Sequence, residues 1–240
     1  LPEIREYERT STTTVNAYVK PVVSSYLANL EAGLARAGVN ADLLLMQSNG
    51  GLTPSETAKR LPMNIIESGP AGGVVGARFL ADTSGLGDLI TFDMGGTTAK
   101  ASMVENGQYA RADEFEVGGG ILAGSRLLTG AGYKLKTQAI DLAEVGAGGG
   151  SLVWIDAGGA LQIGPESAGA SPGPDCYDAG GEAPTVTDAN LVLGYLNPQA
   201  LAGGSVALNA EKARSVFKDK VATPLGLALE DAALGAHRVA

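Results

Sequence analysis

The sequence predicts a mixed α/β fold: a sheet with flanking helices, then a glycine-rich β and loop insertion, then a helical last part. Three observations carry this expectation. Apolar residues recur at helical spacing near the start, and short apolar runs bounded by turn residues fill the stretch from Asp42 to Ala110. The chain's 35 glycines among 240 residues are densest between Gly118 and Gly181. The corresponding parts are 1–117, 118–186 and 187–240.

Val15, Tyr18, Val19, Val22, Tyr26 and Leu27 lead a helical pattern from about Thr13 to about Ala37. Pro21 lies inside it, which predicts a kink or two abutting helices, because proline removes a backbone donor and crowds the preceding turn. Gly38 supplies the stop. Asp42 to Met46 is a short, continuously apolar run of the kind found in a parallel sheet covered on both faces. It ends in the polar turn Gln47-Ser48-Asn49-Gly50-Gly51. Thr53, Pro54 and Glu56 read as N-cap, first-turn proline and capping-box acid of a short helix to about Arg60.

A strand is expected near Met63 to Ile66, then a helix opening in Glu67-Ser68-Gly69-Pro70 and ending near Ala81, its small residues permitting close packing. Strands follow at Leu89 to Asp93 and Ala99 to Glu105. The two-residue turn Asn106-Gly107 continues the sheet antiparallel into Gln108 to Ala110. Within the glycine-rich stretch, Ser151 to Asp156 and Ala160 to Ile163 form a hairpin through Ala157-Gly158-Gly159. Loops as long as those around it are often functional. Helices are expected from a Thr187 cap through Leu196, from Leu208 or Asn209 to about Val221, and from Leu229 to Ala240.

Composition narrows the function. With 17 Lys and Arg against 26 Asp and Glu the formal charge is −9, and no basic run of five or more residues occurs, so nucleic acid and anionic membrane are poor partners. The lone cysteine, Cys176, has no partner for an internal disulfide, and no Cys or His spacing suits a zinc cage. A cytoplasmic setting is the expectation. Apolar stretches break well short of the ~20 residues of a membrane span. The first residues do not read as a signal peptide. Neither end carries a clear start or stop signal, so both are expected to be cuts from a longer chain.

The chemistry is concentrated in Asp93-Met94-Gly95-Gly96-Thr97-Thr98-Ala99-Lys100. Gly95 and Gly96 can adopt the positive φ values that let successive N–H groups converge on phosphate oxygens. Thr97 and Thr98 add hydroxyl donors, Asp93 can hold Mg²⁺ or orient water, and an inward Lys100 adds positive charge. The plain alternative is a tight glycine turn between two strands. In the same way, the loop Val145 to Ser151, with Gly148, Gly149, Gly150 and Ser151, either presents backbone donors to substrate or phosphate or is a bend that lets two β-segments pack. Asp188 and Asn190 open a helix, where capping is the simpler reading. Glu67 sits where a strand gives way to a helix and divides between dipole pairing and an active-site role. Cys176 reads as a small buried thiol, His237 as a surface or packing residue and Trp154 as core.

Several motifs together resemble one family. They are Gln47 to Gly51, Glu67 to Gly73, Asp93 to Lys100, Val145 to Ser151, Gly164-Pro165 with Ser167-Ala168-Gly169, Pro172-Gly173-Pro174, and Pro184 to Asn190. The start, Leu1 to Thr10, belongs with them. The chain is similar over essentially its whole length to the A-type subunits of hydantoinases, 5-oxoprolinases and acetone-type carboxylases. This implies an actin-like (ribonuclease H-like) ATPase lobe, with the Glu67 helix as an interdomain connector and the Asp93 hairpin as a second phosphate loop. It further implies ATP and Mg²⁺ as cofactors, a B-type partner subunit, Asp93 and Glu67 as catalytic, and Asp93, Gly95, Gly96, Thr97, Thr98 and Lys100 as nucleotide-binding. The activity implied is ATP-dependent ring opening of a cyclic amide, with ketone carboxylation or nucleotide sensing as alternatives. The family's first phosphate loop and its adenosine-cradling motif are absent, so half a cleft is expected. Lys100 stands where many relatives carry an acid.

Overall fold

The structure, a computed structural model, describes residues 5–117, 132–199, 204 and 206–240. The starting residues Leu1 to Ile4 and the glycine-rich residues 118–131 lie outside the described residues. The fold is mixed α/β, with several small sheets and flanking helices. It divides into two compact units. The first holds residues 5–93, 100–117 and 132–143; the second holds 94–99 and the described residues from 144 onward.

In the first unit α1 runs unbroken over Glu6–Arg36. Two abutting helices are not what forms: Pro21 sits inside one helix, and it is exposed. On a solvent-facing side the carbonyl deprived of its donor can turn to water instead. Tyr18, Val22 and Tyr26 are exposed too, so the apolar pattern runs wider than the buried face, where Leu27 is fully buried. Strand β1, Leu44–Met46, pairs antiparallel with β2, Leu52–Pro54, in a two-stranded sheet. The expected parallel strand covered on both faces is thus corrected, for Leu44 is half exposed and the turn at 47–51 folds the chain straight back. Helix α2, Ser55–Arg60, follows directly, so Thr53 belongs to the strand and Pro54 is the cap.

The strand expected near Met63 is a 3₁₀ turn, Pro62–Ile65, since Pro62 at its start fixes a helical φ and lacks a ladder donor. Helix α3, Ser68–Ser84, outruns its expected end by one turn and stops on Gly85 in the left-handed conformation. Strands β3, Leu89–Met94, and β4, Ala99–Glu105, are neighbours in one sheet, and β4 pairs antiparallel with β5, Gln108–Tyr109. The turn between β4 and β5 has φ 51° at Asn106 and 69° at Gly107, as its sequence demands. Beyond it, β6 (Arg111–Ala112) pairs with β9 (Ala139–Ile140), and β7 (Phe115–Val117) with β8 (Tyr133–Leu135). A small core of Ala71, Val74, Val104 and Ile140 joins α3 to these strands. Strand β10, Ala143–Val145, leads out of the unit.

The second unit is built on the hairpin of β11, Ser151–Ile155, and β12, Leu161–Ser167, turning at Ala157-Gly158-Gly159 as expected. Helices α4 (Val186–Val192), α5 (Ala210–Phe217), α6 (Thr223–Leu225) and α7 (Leu229–Val239) pack around a core centred on Phe217, Val221 and Ala233. The cap of α4 is Thr185, not Thr187, with Asp188 completing the box, and the helix stops four residues before Leu196. Trp154 is 46% exposed, not core, and its Nε1 donates to Gly164 O at 2.8 Å. No helix among the described residues is long and apolar enough to cross a membrane.

Candidate functional site

In the first unit, Asp93 stands at the end of β3, exposed, beside α3. A Cβ on Gly73 would lie 3.7 Å from Asp93 Oδ2, so the small residues of α3 do allow that helix close to the carboxylate. The two border a cavity of about 220 Å³ with Pro70, Phe92, Lys100 and Leu142. Among the described residues, no hydrogen bond or ion pair of Asp93 is found.

Lys100 and Glu67 form an ion pair, with side chains 12% and 19% exposed. Neither motif alone announced this pairing across 33 residues. Glu67 is the residue preceding α3, and its own N–H donates to Ser48 Oγ at 3.1 Å. Ser48 is fully buried, donates its N–H to Asn64 O at 2.7 Å and accepts from Ile140 N–H at 2.8 Å. The turn at 47–51 thus anchors the start of α3 and the carboxylate that receives Lys100. Sequence reading gave that turn no such task; its signal was a small hydroxyl among turn residues.

In the second unit lies the turn itself. Gly95 N–H closes it on Thr98 O at 2.9 Å. Neither Gly95 nor Gly96 has a positive φ, so that expectation is corrected. A Cβ on Gly96 would meet nothing within 4 Å, and one on Gly95 would touch only Thr98 O at 3.5 Å. Backbone strain does not require glycine here.

The glycines that sterics do require are those of the second loop. A Cβ on Gly148 would fall 2.5 Å from Thr97 C, 2.7 Å from Thr98 N and 2.8 Å from Gly96 C. Gly149 N–H donates to Gly95 O at 2.9 Å, Gly150 N–H to Gly96 O at 2.6 Å, and Gly148 N–H to Ser151 Oγ at 2.9 Å. All three donors are therefore spent inside the protein. Of the two expectations for Gly148, Gly149, Gly150 and Ser151, this geometry matches the bend that packs closely on a neighbouring segment, a strap laid along the turn.

That strap sets the direction of the turn's remaining donors. In a trans peptide the C=O of one residue and the N–H of the next point opposite ways. With Gly95 O and Gly96 O both held by the strap, Gly96 N–H and Thr97 N–H face away from it. Both residues are exposed, and among the described residues neither amide has a partner. Two successive donors aimed at one side, next to two threonine hydroxyls, suit an anion with several oxygens.

Asp188 sits at the head of α4. It is fully buried and accepts from Thr185 N–H at 2.9 Å, Thr185 Oγ1–H at 2.7 Å and Cys176 N–H at 2.9 Å. In this chain it caps α4 and braces the loop at Cys176. Burial, followed by the Asp188 charge, pushes the Cys176 thiol far above its ordinary range, which favours the neutral thiol over the nucleophilic thiolate. Desolvation and Asp188 also raise Asp175. His237 is exposed, 2.9 Å from Asn190 Oδ1, and packs edge-on against Tyr195. No cluster of three metal-ligating side chains exists among the described residues.

The chain as a whole is similar to known proteins. A family model described as Hydantoinase/oxoprolinase matches residues 9–240. An uncharacterized protein of Methanocaldococcus jannaschii is 47% identical over 100% of this chain and 35% of its own length. Caprolactamase subunit alpha of Pseudomonas jessenii is 41% identical over 98% of the chain and 32% of its length. The crystal structure of that ATP-dependent caprolactamase superposes with a TM-score of 0.67, covering 100% of this chain and 33% of that one at 41% identity. A nucleotide-free acetone carboxylase structure, solved for ATP-dependent acetone carboxylation, superposes with a TM-score of 0.79 over 98% of this chain and 31% of that one, at 31% identity. The chain spans about a third of the length of these relatives.

Proposed function

We propose that this chain, which belongs to the hydantoinase/oxoprolinase family, is the nucleotide-binding lobe of an ATP-dependent enzyme that opens cyclic amides. The observation that carries the reading is the pair of outward amides, Gly96 N–H and Thr97 N–H, held in place by the strap from Gly148 to Gly150. Such donors neutralise phosphate charge at fixed positions, and phosphoryl transfer is catalysed mainly by positioning and charge stabilisation. Relatives described as ATP-dependent support the choice of nucleotide. The actin-like architecture belongs to the same reading.

Asp93, one step before the turn, is the proposed metal ligand. A single exposed carboxylate fits Mg²⁺, which keeps several waters and takes further oxygens from the phosphates it accompanies. Held there, the metal would supply positive charge to a transferring phosphoryl group. Lys100 does not add to that charge, because Glu67 holds it. Glu67 accordingly acts on the site by fixing Lys100 rather than as a general base.

The chemical task is to make a resonance-stabilised amide carbon accept water. Transfer of the terminal phosphoryl group from ATP to the amide oxygen, with ADP leaving, makes the carbon electrophilic; one water adds there, the ring C–N bond breaks with a proton taken up by nitrogen to leave an open-chain acyl phosphate, and a second water releases phosphate and the carboxylate. Relatives named as subunits support a partner subunit in the whole enzyme, which this reading takes to be of B type. A second reading, ATP-dependent ketone carboxylation, draws on the TM-score of 0.79 with acetone carboxylase. The same phosphate turn serves either, with enolate in place of amide.

The test is coupled turnover of the full-length protein with its partner, offered caprolactam, 5-oxoproline, hydantoin and acetone. ATP loss that rises with a cyclic amide, and is abolished in Asp93→Ala with the melting temperature kept, is expected. ATP loss indifferent to every substrate would remove the enzyme reading.

A further inference from the structure

We infer that Thr187 is a positioning residue for the phosphate turn, acting through two rigid peptide planes and touching no nucleotide itself; this rests on the reading that the turn binds phosphate. Thr187 is buried, in the first turn of α4. Its N–H and its Oγ1–H both donate to Gly149 O, at 2.7 and 2.8 Å. Two donors on one carbonyl fix the plane of the Gly149–Gly150 peptide. The trans geometry then aims Gly150 N–H the opposite way, onto Gly96 O at 2.6 Å. That bond in turn fixes the Gly96–Thr97 peptide and aims Thr97 N–H outward.

A parallel line runs beside it. Ser151 N–H donates to Gly148 O at 3.0 Å, the Gly148–Gly149 peptide aims Gly149 N–H at Gly95 O, and the next plane turns Gly96 N–H outward. Ser151 is fixed by β11, while Thr187 is fixed by the Thr185–Asp188 box at the head of α4. Peptide planes resist twisting far more than side chains do, so the orientation of a donor on one side of the strap is inherited from an acceptor on the other. Capping alone does not require a hydroxyl at position 187, because Thr185 already supplies the cap. The loop carbonyl explains the residue.

The experiment measures ATP affinity, adenosine affinity by competition, and melting temperature for the full-length protein carrying Thr187→Val, Thr187→Ser or Gly96→Ala. Valine keeps the shape and the N–H bond but loses the hydroxyl donor. We expect ATP affinity to fall about fivefold to tenfold in Thr187→Val, the worth of one hydrogen bond, with adenosine affinity unchanged and serine restoring ATP binding. If Thr187→Val binds ATP like the native protein while Gly96→Ala does not, the positioning role is overturned and the phosphate turn stands. If neither variant weakens ATP, the phosphate turn falls and the positioning role with it. Equal loss of ATP and adenosine in Thr187→Val would make the residue a general brace and overturn the inference.

Discussion

Gly96 and Gly148 separate two uses of glycine that the sequence leaves indistinguishable. A methyl group at Gly96 would meet no atom within 4 Å, on an exposed turn residue whose own N–H is one of the two proposed phosphate donors. Its effect on the fold is therefore small, and its effect on an incoming phosphate is large. Gly96→Ala is expected to leave unfolding free energy within about 0.5 kcal/mol of the native protein, as for ordinary surface changes. Titration of the full-length protein with ATP should show affinity reduced about tenfold or more, because the methyl group occupies phosphate space. Native affinity in this variant would place the phosphates elsewhere. Lys100 carries a related lesson. Its charge is adjacent to the turn in sequence yet is committed to Glu67 in space, and a nearest-neighbour reading of the motif has no access to a partner 33 residues away.

At the scale of elements, the strap, β11 and α4 form one device. Residues 148–150 run so close to the turn that only backbone fits between them, which explains three consecutive glycines better than flexibility does. Gly148→Ala is expected to be the opposite of Gly96→Ala. Its Cβ meets backbone atoms of three residues, which cannot rotate aside as a side chain would, so a cost of about 1–3 kcal/mol in stability is expected. Denaturant unfolding of the full-length variant measures it. ATP binding should weaken with it, since relieving the clash moves the turn; a variant of native stability would contradict the close approach. The head of α4 shows local chemistry read in kind but not in detail. Asp188 reads as a capping acid, and the structure spends its bonds on Thr185, two residues before the expected cap, and on Cys176.

For the molecule as a whole, what could be read from sequence was whatever local chemistry decides. The Asn106-Gly107 turn, the Ala157-Gly158-Gly159 hairpin and the buried Cys176 follow from residues within a few positions of each other. Pairing decided the rest. Leu44–Met46 reads as a buried parallel strand because it is apolar throughout, but its partner is the strand just beyond the turn. Trp154 reads as core by size, yet a carbonyl on the neighbouring strand holds its indole N–H and leaves the ring half exposed. The site was legible as a motif and illegible as a mechanism: Asp93 to Lys100 stood out, while the strap that directs its amides lies some fifty residues away. The central claim is that Gly96 N–H and Thr97 N–H grip the nucleotide's phosphates. A crystal structure of the full-length protein with Mg²⁺ and a non-hydrolysable ATP analogue tests it most directly. The account predicts phosphate oxygens at hydrogen-bond distance, about 2.7–3.2 Å, from both amide nitrogens, with the strap unchanged. Phosphates bound away from the turn, or a turn whose carbonyls have left the strap to meet them, would contradict it.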